Sequence, residues 1–192
     1  MRILLYLLIL SLTLVGCPES VPGPMHPESG AAAVVADDGF VVWLEAGSLA
    51  ASPAPEKAPG GVSAWLSGLN ESGKGPLAIL NLRESEDPDF GDLVEVTEQI
   101  PITDFKVPTV DQVGAAMAFI AGHIAEGRTV VVHCQGGCGR TGTILALYLR
   151  QECGLSGPEA IAELRALDSC FVETKGQEEF VNNFDFEALP KP

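Results

Sequence analysis

One short segment restricts the architecture of this 192-residue chain more than any other. Thr129 to His133 (TVVVH) is an apolar run of strand length, of the kind buried inside a covered sheet. Cys134 and Gln135 follow at once, then glycines at 136, 137 and 139. From Thr141 to Cys153 the pattern is helical, and Gly154 stops it. Strand, glycine-rich turn and helix in immediate succession mark a β-to-α junction.

The rest of the sequence extends that alternation. Phe40 to Leu44 marks the start of the folded part, and the Pro- and Gly-rich stretch from Ser52 to Gly61 reads as a loop. Val62, Trp65, Leu66 and Leu69 have helical spacing. Leu77 to Leu82 reads as a strand, and Val94 to Ile102 as another that runs into a loop at Pro101. Thr109 caps a helix reaching Glu126, with Asp111 in its first turn and Gly127 past its end. Gly157-Pro158 opens a helix to about Leu167, and Gly176 to Leu189 reads as a final helix. This order predicts one α/β domain over 37–190, with a central, mostly parallel sheet flanked by helices. Trp43 and Trp65 are expected in the core, His123 is expected to be structural, and Cys153 is expected to pack at its helix end.

Ahead of the domain, Met1 to Val15 (MRILLYLLILSLTLV) carries one Arg and then an apolar run broken only by Ser11 and Thr13. A spanning helix needs about 20 apolar residues, whereas a signal-peptide core needs about 7–15 after a positive charge. The segment fits the second description. It ends in Leu14-Val15-Gly16-Cys17, which resembles the lipobox of bacterial lipoproteins, where the signal is cut before a cysteine that is then lipidated. Residues 1–16 are therefore expected to be a signal peptide, Cys17 a lipid-bearing residue, and 17–36 a Pro-rich tether that includes His26. The domain would be exported and held at a bacterial membrane, on its periplasmic or outer face.

Charge narrows the partners. The chain has 11 Lys and Arg against 26 Asp and Glu, a net charge of −15. General nucleic-acid binding and adsorption to anionic lipid both need clustered cations, so neither is expected. Part of the 46% hydrophobic content lies in the leader, and the domain itself is more polar than that figure suggests.

The chemistry sits in the glycine turn. Glycines there let successive backbone N–H groups point inward, and the helix N-terminus adds its own free N–H groups and dipole. Together they make a cradle of phosphate size. Cys134, at the strand end, faces that cradle, which favours its thiolate. Arg140 closes the ring with a planar fork for two phosphate oxygens. Thiolate attack on phosphorus follows as the chemistry, with Arg140 and the amides holding the equatorial oxygens. A metal site would need paired ligand spacing that His133, Cys134 and Cys138 lack. A nucleotide-binding loop would need Lys where Arg140 stands. A purely structural turn would leave Arg140 unexplained. No metal or cofactor is expected.

His133-Cys134-x-x-Gly137-x-x-Arg140-Thr141-Gly142 resembles the signature loop of the protein tyrosine phosphatase superfamily, and the helix after it looks like the compact dual-specificity branch. The resemblance extends to Leu80-Asn81-Leu82-Arg83-Glu84, to Pro101 through Pro108 as the general-acid loop, to Glu159, Ile161 and Arg165, and to Glu173 through Phe180. It spans about Val41 to Phe184. It implies Cys134 as nucleophile and Arg140 as phosphate ligand. Residues Gln135, Gly136, Gly137, Cys138 and Gly139 would form the cradle. Asp104 would be the general acid, with Asp92 and Asp111 as rival carboxylates. Thr141 would donate to the thiolate, His133 would orient the loop, and Gln177 would place the attacking water.

Two departures matter. Many relatives carry a second Arg three residues after Arg165, where this chain has Asp168. Cys138 stands where an apolar residue is commoner, and pairings with Cys134 or with Cys170 are both open. One reading is that Cys138 protects or regulates Cys134. The loop between Cys134 and Arg140 is uncharged, and Lys106 is the one nearby cation. That favours phosphotyrosine, with phosphoserine or phosphothreonine next, over a highly charged inositol phosphate. The expected partner is a phosphorylated protein or peptide, with the chain acting as a monomer. The alternatives are a phosphoprotein-binding pseudophosphatase, and a small-molecule phosphatase or sulfur-transfer enzyme of related loop geometry.

Overall fold

The computed structural model describes residues 39–45 and 47–190; the signal peptide, Cys17 and the tether expected over 17–36 lie outside them. A five-stranded sheet forms the centre, in the order β1-β2-β5-β3-β4. Its strands are β1 (Val42–Glu45), β2 (Leu49–Ser52), β3 (Leu77–Asn81), β4 (Val96–Gln99) and β5 (Thr129–His133). The β1–β2 pair is antiparallel; β2, β5, β3 and β4 run parallel. The helices are α1 (Gly61–Ser72), α2 (Val110–Ala125), α3 (Gly139–Cys153), α4 (Gly157–Leu167) and α5 (Lys175–Asn183).

Side-chain alternation divides the core into two layers. Ala78, Leu80, Val130 and Val132 face the cluster built by α2, α3, α4 and α5. Leu77, Ile79 and Val131 face the other way, with Trp65, Leu66 and Leu69 of α1 and with Trp43. Both sheet faces are thus covered, which is why β3 and β5 read as unbroken apolar runs. Trp43 and Trp65 are core residues, as expected.

Several boundaries differ from the sequence reading. β2 lies in a stretch whose small residues (LAAS) carry little strand signal, yet all four are buried beside β5. The loop after it contains a 3-10 turn at Pro55–Lys57. The last helix ends at Asn183 rather than Leu189, because Phe184 is extended (ψ 128°) and a separate 3-10 turn covers Phe186–Ala188. α3 starts at Gly139, two residues before Thr141, so Arg140 belongs to its first turn.

The topology positions the site. Four parallel strands deliver their C-terminal ends to one edge of the sheet. Ser52, His133 and Asn81 stand in register there. The loops that follow β2, β3, β4 and β5 therefore converge.

Candidate active site

Cys134 emerges from β5, the middle strand of the sheet, and is a free, buried thiol. Behind it, His133 is fully buried, its Nε2 2.9 Å from Asp87 Oδ2 and its Nδ1 3.4 Å from the Cys134 carbonyl. Asp87 also accepts from Arg83 Nη2 at 2.6 Å. Arg83, itself buried, bonds Glu56 and Asn81 and reaches Gln135 Oε1 at 3.5 Å. His133 is thus tied to the loop after β3 and to the Cys134 carbonyl. Its partner Asp87, and Glu56 that pairs with Arg83, escaped sequence reasoning, because they come from the loops after β3 and β2 and share no local pattern with it.

The turn itself needs its glycines. Gly137 has φ +77°, and a Cβ there would lie 2.7 Å from Pro53 N and 2.8 Å from the Ser52 carbonyl carbon. The loop after β2 thus packs flush against the back of the cradle, and Ala54 N–H donates to Gln135 O at 3.4 Å. α3 has Cys138 at its N-cap with no side-chain capping bond, which leaves its first-turn N–H groups for an anion.

Arg140 and Asp104 meet. Arg140 is buried, and its Nη1 donates to the Ile102 carbonyl at 2.9 Å. Its Nη2 pairs with Asp104 Oδ1 at 2.7 Å, while Asp104 itself is half exposed. The same oxygen accepts from the Phe105 N–H at 3.2 Å, and Phe105 sits at φ +59°. Arg140 Nε is buried without a hydrogen-bond partner, as is Thr141 Oγ1. These are donors available to an oxyanion or a thiolate. Thr141 does not make the expected bond to Cys134, since its hydroxyl is unpartnered.

Gln177 is fully buried and already engaged. Its Oε1 accepts from Thr174 N–H at 3.0 Å within a capping box, and its Nε2 donates to Lys106 O at 3.4 Å. It also lies against Gly139, where a Cβ would meet its amide at 2.9 Å. The side chain thus braces the loop of Pro101 through Pro108 against α3; placing water would require it to leave these partners. Of the rival carboxylates, Asp111 sits in the first turn of α2 and Asp92 in a 3-10 turn at Gly91–Leu93. Asp104 is the one that contacts Arg140.

The two open pairings of Cys138 resolve to one: it is disulfide-bonded to Cys170. Asp168, in place of the second Arg, accepts from the Cys170 N–H at 2.9 Å and so shapes the turn that carries the bridge. A cleft of about 460 Å³ lies beside β3 and β4, but Glu86, Asp89, Glu95 and Glu98 line it, the wrong charge for phosphate.

Residues 63–153 match the family described as "Polymorphic toxin system, DSP-PTPase phosphatase". The structure of Tk-PTP in its active form superimposes with a TM-score of 0.56 at 32% identity, covering 69% of this chain and 88% of that one. A mutant form of Tk-PTP gives 0.61 at 27% identity, covering 74% and 91%. An uncharacterised protein of Methanocaldococcus jannaschii is 43% identical over 90 residues, 46% of this chain and 58% of its own length. This chain thus spans little more than half of that curated relative.

Proposed function

We propose that this chain, which belongs to the protein tyrosine phosphatase superfamily in its dual-specificity-like branch, is a cysteine-dependent phosphatase that hydrolyses phosphomonoesters through a cysteinyl-phosphate intermediate. One observation carries the reading. The buried Arg140, in the first turn after the cradle, holds the Asp104 carboxylate at 2.7 Å, in the place a phosphate oxygen would take.

In this mechanism an incoming phosphate displaces Asp104 from Arg140 Nη2 and also takes the unpartnered Nε. The amides of Gln135 through Gly139 and the first turn of α3 hold its equatorial oxygens. Cys134 thiolate attacks phosphorus, and the displaced Asp104, in its acid form, gives its proton to the leaving oxygen. A water then attacks the cysteinyl-phosphate, Asp104 accepts its proton, and the thiolate departs toward the free Thr141 hydroxyl. His133, Asp87 and Arg83 keep the loop in shape throughout.

Phosphotyrosine is the favoured substrate. The cradle side chains are uncharged and the chain is strongly acidic, which disfavours polyphosphorylated ligands. Phe105 and Val107 stand exposed beside Asp104 and offer an apolar rim for an aromatic ring. We propose further that the enzyme is an exported lipoprotein, anchored through Cys17.

A phosphotyrosine-peptide assay on wild type and Cys134→Ser tests the activity. The expected outcome is turnover by wild type and only background rate with the variant, which keeps its affinity for inorganic phosphate. Equal inertness of both proteins with retained phosphopeptide binding would favour a binding module instead. Membrane fractionation of Cys17→Ser tests the anchor, since loss of lipid should release the protein.

A further inference from the structure

The proposed phosphate loop holds a second cysteine, and that cysteine is bonded. Cys138 stands at the N-cap of α3, between Gly137 and Gly139. Its Sγ is joined to Cys170, 32 residues on, with the Cα atoms 5.2 Å apart. The cysteine four positions before it, Cys134, remains a free thiol.

Cys170 lies in a turn that is itself fastened. Its N–H donates to Asp168 Oδ1, and the Phe171 N–H donates to Asp168 O at 3.2 Å. From α4, Arg165 Nε donates to Phe171 O at 3.0 Å and Nη2 to Val172 O at 2.7 Å. Val172 is held at φ +56°, a conformation disfavoured for a β-branched residue. Gly142 of α3 presses against the same turn, where a Cβ would lie 2.6 Å from Val172 N. The bridge therefore ties a glycine-flanked loop to a rigid support. Beside them lies a cavity of about 40 Å³, lined by Gly136 and Gly137, by Asp168, Cys170 and Phe171, and by Ala51 through Pro53 at the end of β2. Both half-cystines are partly exposed, so a small reductant can reach them.

Resting on the phosphatase reading above, we propose that the Cys138–Cys170 disulfide is a positioning element of that site: it holds residues 136–139 in the shape that binds phosphate and keeps Cys138 from pairing with Cys134. Activity then requires an oxidised bridge beside a reduced nucleophile. Reduction by dithiothreitol delivers two electrons and two protons, leaves thiols at Cys138 and Cys170, and closes the reagent into a cyclic disulfide. Hydrogen peroxide can then join Cys134 to Cys138, two thiols and one peroxide giving one disulfide and two waters.

The test uses the full chain purified without reductant, as wild type and as Cys170→Ser. Mass-spectrometric peptide mapping of unreduced wild type should find the Cys138–Cys170 link, and a map without it overturns the proposal. Turnover of a phosphotyrosine peptide and inhibition by inorganic phosphate are read before and after dithiothreitol. Reduction should raise KM and the phosphate inhibition constant at least tenfold, change kcat less, and reverse on reoxidation. Cys170→Ser should show the raised values with or without reductant, and peroxide should give it a Cys134–Cys138 disulfide that wild type does not form. Should that variant fail to fold by circular dichroism, the wild-type reduction series decides alone. Phosphate affinity that ignores reduction overturns this proposal and spares the phosphatase reading. A wild type with the bridge mapped, yet no turnover and no phosphate binding in either redox state, overturns both.

Discussion

Residue by residue, the site is a set of donors waiting for an anion, with one of them already spoken for. Asp104 neutralises Arg140 at 2.7 Å, so it competes with substrate for the guanidinium before it can act as an acid. Asp104→Asn should therefore separate the two roles. Its kcat on a poor-leaving-group ester should fall about 10²–10⁴-fold, the usual worth of a positioned general acid. Its phosphate inhibition constant should fall as well, because the carboxylate competitor is gone. Steady-state kinetics with and without inorganic phosphate would check both. The identities of Cys134 and Arg140 were legible in the sequence because their spacing is local. Asp87, Glu56 and the bond from Gln177 to Lys106 O were not, since each depends on a partner from another loop.

At the scale of elements, the β5 turn and α3 act as one unit, and their join is tighter than sequence periodicity implies. Apolar spacing located the helix from Thr141, yet helical geometry begins at Gly139. The extra two residues are glycine and arginine, invisible to an apolar pattern. They bring Arg140 into the first turn, beside the free N–H groups that an anion would use. Gly137→Ala should damage this unit without touching a functional group. Its φ of +77° and the 2.7 Å approach of Pro53 N leave no place for a methyl. We expect a loss of at least about 1 kcal/mol in stability, and weaker phosphate binding, measurable by denaturant unfolding and by phosphate titration.

For the molecule as a whole, the sheet order is what assembles these parts. β5 lies between β2 and β3, so the loops that follow Ser52, Asn81 and His133 meet although the sequence holds them tens of residues apart. The Cys138–Cys170 bridge adds a covalent tie across the same end. In the chain-entropy treatment, closing a 32-residue loop restricts the unfolded state by about 4 kcal/mol. For a domain of this size that corresponds to a fall in Tm on the order of 10 °C on reduction. Calorimetry of oxidised and reduced protein would check it, and an unchanged Tm would show that the native turn at Asp168–Val172 holds the loop without help.

Sequence alone determined the α/β class and the parallel character of the sheet, and it located Cys134 and Arg140 at the junction of β5 and α3. Those properties are written in local periodicity and in a contiguous motif, where each residue's meaning depends on close neighbours. Tertiary structure decided the rest: which cysteine Cys138 joins, which carboxylate faces Arg140, what anchors His133, and that LAAS is a strand. Each is a choice between partners distant in the chain, and only the packing of parallel strands, which brings their C-terminal loops together, makes it.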